Sequence, residues 1–127
     1  MSGINVTFTG HRDRVTDERE LAALAAEFPG AVWVHGGAAG FDAQVARYAQ
    51  AHDIPQLVIR PAYDQYGRAA PLIRDRQMVD LADLLVACYD GRPRGGTCYT
   101  VSYARRRGVE TRLVQPHHRE DQLPAPQ

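Results

Sequence analysis

The sequence predicts an α/β fold, a doubly wound parallel sheet of five strands with helices on both faces. Two observations carry that expectation. Strand-like and helix-like segments alternate along the chain, and the strand-like runs are apolar throughout rather than alternating in polarity. Strands of that kind are buried on both faces, which a parallel sheet covered by helices provides.

The elements follow in order. Ile4 to Thr9 (INVTFT) is a β-rich run ended by Gly10. Asp17 to Phe28 puts Leu21, Leu24, Ala25 and Phe28 on one helical face, with Thr16 or Asp17 as N-cap and Pro29-Gly30 as the stop. Ala31 to His35 reads as the second strand, and Ala39 to His52 as a helix with Phe41, Val45, Tyr48 and Ala49 inward. Leu57 to Arg60 is a short third strand, followed by the polar loop PAYDQYGRAA and a helix over 71–81 with Pro71 in its first turn. Asp83 to Tyr89 is the fourth strand. The loop DGRPRGGT then opens a helix that runs to Arg107 and stops at Gly108. Glu110 to Gln115 is the fifth strand. Right-handed crossovers give these strands the order 3-2-1-4-5 of a Rossmann-like sheet. Residues 1–115 form one domain, and the polar, Pro-containing 116–127 reads as a flexible tail.

Composition narrows the chemistry. The 127 residues are 44% apolar and 24% charged, an ordinary globular balance, with zero formal net charge. No global field therefore draws the chain to nucleic acid or to an anionic membrane. No apolar run approaches the roughly 18 residues of a membrane span. With no secretory pattern at MSGINVTF, a cytoplasmic location is the expectation. Cys88 and Cys98 match no disulfide framework or zinc spacing, and neither metal nor cofactor is expected. All fifteen basic residues are Arg. Without Lys, Schiff-base chemistry and a Walker A loop are impossible, so a bound phosphate must be held by arginine, hydroxyls or backbone N–H groups.

Ligands of doubly wound sheets sit at the carboxyl ends of the strands, near the reversal of strand order. Three loops meet there: Thr9-Gly10-His11-Arg12, Gly36-Gly37-Ala38-Ala39-Gly40-Phe41-Asp42, and Asp90 to Thr97. The second is not a dinucleotide fingerprint, because His35 stands where the first glycine belongs. Gly36, Gly37 and Gly40 suit either a phosphate held at a helix start or a tight strand-to-helix turn, and spacing leaves both open. Asp42 suits a helix N-terminus as a capping acid; as a functional group it can grip sugar hydroxyls or act as a general base. Gly95-Gly96-Thr97 is a second glycine-rich helix start, flanked by Arg92 and Arg94. Arg12 can pair with phosphate, and His11 can titrate near neutrality. Arg74, Asp75 and Arg76 read as a solvated helix face, and Arg105 to Arg107 as a basic helix C-terminus.

The order TGHR, GGAAGFDAQVA, IRDRQM and GGT resembles the SLOG superfamily of Rossmann-like nucleotide-binding domains, nearest to its small YspA/YpsA-related members. Relatives there include the LOG phosphoribohydrolases and the DNA-processing protein DprA. The resemblance spans Ile4 to Leu113. It implies a nucleotide-derived ligand at the strand ends, with Gly36, Gly37 and Gly40 lining its loop. Arg74 and Met78 match the R-x-x-x-M element of the LOG enzymes, whose Arg faces the ligand. Gly96 and Thr97 match the GT of their PGGxGTxxE motif. Arg92-Pro93-Arg94 depart from that motif, and Thr100 stands where the catalytic glutamate belongs, leaving Asp42 or Asp90 to supply a carboxylate. The resemblance also implies a homo-oligomer.

The sequence thus points to a domain that binds a nucleotide or phosphoribosyl ligand. Thr9, Gly10, Arg12, Gly36, Gly37, Gly40, Arg74, Gly95, Gly96 and Thr97 are its binding residues, and Asp42 is the candidate catalytic group. Nucleoside monophosphate hydrolysis and single-stranded nucleic-acid binding are the alternatives; zero net charge counts against the last.

Overall fold

The computed structural model describes residues 3–118. Its strands are β1 (Asn5–Gly10), β2 (Arg14–Val15), β3 (Val32–His35), β4 (Gln56–Val58), β5 (Leu84–Cys88), β6 (Thr111–Val114) and β7 (His117–His118). Its helices are α1 (Glu18–Glu27), α2 (Phe41–Ala51), α3 (Tyr63–Tyr66), α4 (Ala70–Leu81) and α5 (Gly96–Arg106), with a 3-10 turn at Gly67–Ala69. Five strands form one parallel sheet in the order β4-β3-β1-β5-β6. Counting only the strands of that sheet, this is 3-2-1-4-5, with the central strand β1 beside the reversal.

Side chains alternate across the sheet with the period of two that a strand imposes. Val6 and Phe8 of β1, Trp33 of β3, and Leu84, Val86 and Cys88 of β5 pack with Leu21 and Leu24 of α1 and Phe41, Val45 and Ala49 of α2. Aromatic rings anchor this layer, Phe8 lying 4.7 Å from Trp33 and 6.1 Å from Phe41. On the other face Leu85 and Ala87 meet Val79 of α4 and Val101 and Ala104 of α5. Thr7, buried on that same face, satisfies its hydroxyl by donating to the Met78 carbonyl at 3.2 Å. The α1 N-cap is Asp17, whose carboxylate accepts from the Arg19 N–H at 2.9 Å.

Several details differ from the sequence expectation. A small antiparallel ribbon pairs Arg14 with His118 and Val15 with His117, so these two histidines, read as the start of the tail, are ordered by β2. The rest of that tail lies outside the described residues. The third sheet strand is Gln56–Val58 and stops short of Arg60; as an edge strand it leaves Leu57 and Val58 exposed. The loop after it carries α3, and α2 starts at Phe41 rather than Ala39 because Gly40 adopts a positive φ of 72°. Among the described residues no helix is long and apolar enough to cross a membrane.

Candidate functional site

At the carboxyl ends of β1, β3 and β5 lies a cleft of about 780 Å³. The loop after β1 contributes Thr9, Gly10, His11, Arg12 and Asp13; the loop after β3 contributes Gly36, Gly37, Ala38 and Asp42. Arg74, Asp75 and Met78 of α4 form one wall, and Arg92, Arg94 and Gly95-Gly96-Thr97 close the side beside α5. Five arginines (12, 60, 74, 92 and 94) face three aspartates (13, 42 and 75), so the cleft favours an anion although the chain is neutral.

The glycine loop after β3 does two jobs. Its N–H groups turn inward: those of Gly36 and Ala38 both donate to Asp42 Oδ2 at 3.2 Å. The Gly37 N–H donates to His35 Nδ1 at 3.1 Å, which leaves the His35 proton on Nε2 to donate to Gln56 Oε1 at 2.8 Å. The glycines also admit arginines. A Cβ on Gly36 would overlap Arg74 Nη1, and one on Gly37 would lie 2.6 Å from Arg60 Nη1. The loop is therefore a turn that carries Asp42 and seats two guanidinium groups, and its Gly36, Gly37 and Ala38 amides are already engaged.

Gly40, expected in the ligand loop, does not line the cleft. A Cβ there would overlap the Arg12 carbonyl oxygen and lie 2.6 Å from that of His11. Glycine is required because the start of α2 packs on the backbone of the β1–β2 loop.

Asp42 is nine-tenths buried, and its Oδ1 has no hydrogen-bond partner among the described residues. Burial pushes its carboxyl above the usual range, against the pull of the two backbone N–H groups and Arg74. A buried acceptor left unpaired in a cleft is costly unless a ligand donor meets it.

Arg74 is held by its neighbours. Its Nε donates to Asp75 Oδ1 at 2.8 Å and its Nη1 to the Gly36 carbonyl at 2.9 Å. Far from solvated, Asp75 is only 7% exposed. Burial raises its carboxyl, while Arg74 pulls it down. The available signal was its spacing of three and four residues from Met78 and Val79, both buried, which puts it on the inward face of α4. Two carboxylates thus face one cleft, joined through the Gly36 peptide and the Arg74 guanidinium. Thr100 donates to the Gly96 carbonyl at 2.7 Å.

At the start of α5, Gly95 has φ 101° with open space around it, and no side chain caps the first-turn N–H groups. This 11-residue helix offers its positive dipole end to the cleft. Asp90 lies outside the cleft lining. Arg92 holds its carboxyl well below the usual range, and its backbone N–H donates to His11 Nε2 at 3.2 Å. His11 is buried and its pKa is lowered by that burial. Arg105 to Arg107 occupy the opposite end of α5 from the cleft.

No curated protein and no solved structure matches the chain. The model of the YspA, cpYpsA-related SLOG family matches residues 4–66, from β1 through α3. That segment carries Arg12, the glycine loop and Asp42; the α4 wall and the α5 start lie beyond it. On this match, residues 4–66 belong to the YspA, cpYpsA-related SLOG family, and the five-stranded parallel sheet of the chain is consistent with its Rossmann-like fold.

Proposed function

We propose that the cleft binds a phosphorylated ribosyl ligand, in keeping with the nucleotide-related role that family membership supports at a coarse level. The observation that carries the reading is the buried, unpartnered Oδ1 of Asp42, a residue that lines the same cleft as an uncapped helix start. The first requires a donor such as a sugar hydroxyl; the second, with Arg12 and Arg94, suits a phosphate. Phosphate therefore belongs at Gly96 and Thr97, and the sugar at Asp42. A thermal-shift panel tests this: nucleoside 5′-monophosphates raise the melting temperature by several degrees at about 100 times Kd, whereas unphosphorylated nucleosides do not. Equal shifts from both, or none from either, contradict the reading.

The Asp42–Asp75 arrangement favours a second reading, hydrolysis of the N-glycosidic bond. One buried carboxyl protonates the leaving base as the C1′–N bond breaks, the other, paired with Arg74, stabilises the oxocarbenium-like sugar, and a water then adds to C1′ and returns a proton to the first carboxylate. Assaying the same mixtures for free base separates turnover from binding alone.

A further inference from the structure

The cleft has an apolar side with no part in the contacts described so far. Pro61 and Tyr63, after β4, and Pro71 and Leu72, at the start of α4, form an apolar lip to it. Tyr63 is 60% exposed and Leu72 41% exposed. The Tyr63 side chain has neither a hydrogen bond nor an aromatic neighbour among the described residues. Isolated exposed apolar side chains are common on protein surfaces; here two of them, with two prolines, are contiguous with a charged cleft. The sheet order sets the span. From β4 to β5 there are three strand spacings, about 14 Å. A ligand reaching from the helix start past Asp42 to the lip therefore carries a third group beyond phosphate and sugar.

Resting on the phosphoribosyl reading above, we infer that the lip is a platform for a nucleobase, stacked on Tyr63, and that the site takes purine nucleoside monophosphates without distinguishing their base edges. The chemistry of the lip decides the second half. Prolines and leucine carry no side-chain donor or acceptor, and the only such group is the Tyr63 phenol. A base is then held through its π-face and apolar area, which every base offers and purines offer most. The Arg60 guanidinium over Gly37 adds a cation beside the platform.

Calorimetric titration of the protein with adenosine, guanosine and uridine 5′-monophosphates and with ribose 5-phosphate tests the inference. The two purine nucleotides are expected to bind within about threefold of each other, and ribose 5-phosphate more weakly by roughly 5- to 150-fold, the range of one base–aromatic stack. Tyr63→Ala brings adenosine monophosphate close to ribose 5-phosphate and leaves ribose 5-phosphate unchanged, while Tyr63→Phe keeps wild-type affinities. The inference is overturned if adenosine monophosphate binds no tighter than ribose 5-phosphate. A difference above about tenfold between the purines, or an equal loss for both ligand types in Tyr63→Ala, also overturns it. Binding of ribose 5-phosphate with no gain from a base defeats the lip alone. No binding of any phosphorylated ligand defeats the phosphoribosyl reading, and the lip with it.

Discussion

Gly40→Ala is expected to destabilise the fold by about 2–6 kcal/mol, combining backbone strain with overpacking. Two effects add. Gly40 has φ 72° and ψ −123°, a conformation open to glycine and strained for alanine. The new methyl also overlaps the Arg12 carbonyl oxygen and lies 2.6 Å from the His11 carbonyl, and both are backbone atoms. Neither can swing aside as a side chain would, because the Phe41 N–H donates to that His11 carbonyl and the Arg14 N–H shares it. Gly95→Ala is the comparison. Gly95 also has a positive φ, of 101°, but nothing lies within 4 Å of its Cβ position, so only strain of about 1–2 kcal/mol applies. Urea denaturation of the two variants separates the terms. A Gly40→Ala midpoint indistinguishable from that of Gly95→Ala contradicts the close packing of α2 on the β1–β2 loop.

Asp42→Asn is expected to weaken binding of a nucleoside monophosphate by about 10- to 100-fold, the loss of a charged hydrogen bond, while folding normally. The asparagine oxygen still accepts from Gly36 and Ala38, but an NH₂ group replaces Oδ1 and cannot accept from a sugar hydroxyl. Stability moves the other way. Because burial raises the Asp42 carboxyl, the folded chain holds this proton more tightly than the unfolded chain. Its contribution is full below the ordinary carboxyl value near 4 and is lost as pH rises through the raised value. Asp75 acts with the same sign. His11, lowered by burial, acts oppositely as pH falls below about 6.5, so the difference between variant and wild type reports Asp42 rather than either curve alone. Asp42→Asn should match or exceed wild-type stability at pH 7.5 and lose that advantage toward pH 4.5. A variant less stable at both pH values, with affinity unchanged, contradicts the assignment of Oδ1 to a ligand. Such a trade of stability for binding is common where a site keeps an unsatisfied polar group.

The sheet was legible in the sequence because its strands are buried and its helices carry one apolar face. Phe8, Trp33 and Phe41 fall on the pattern that predicts their layer, and Pro29-Gly30 marks the end of α1. The ribbon was not legible: two-residue strands have no period, and Val15 pairs with His117 across the length of the domain. The edge strand β4 and the short α3 are mostly exposed, so hydrophobicity places them poorly. At the site, glycine clustering pointed to the strand ends, but not to the reason for each glycine. Gly36 makes room for Arg74, Gly37 for Arg60, and Gly40 for a backbone carbonyl, all contacts between segments distant in sequence. Asp75 was hidden in a run of charges that reads as solvated until α4 is placed against the sheet. Asp42 was visible as a first-turn acid, although nothing local indicated that one of its oxygens lacks a partner.

Amide chemical-shift mapping with a nucleoside 5′-monophosphate tests the location of binding most directly. The largest changes are expected at Gly96 and Thr97, which meet the phosphate, and at Gly36 and Ala38, whose N–H groups report on Asp42. Changes confined to the separate hollow lined by Arg14, Gln115 and His117, with the cleft amides unmoved, would contradict a ligand site at the strand ends.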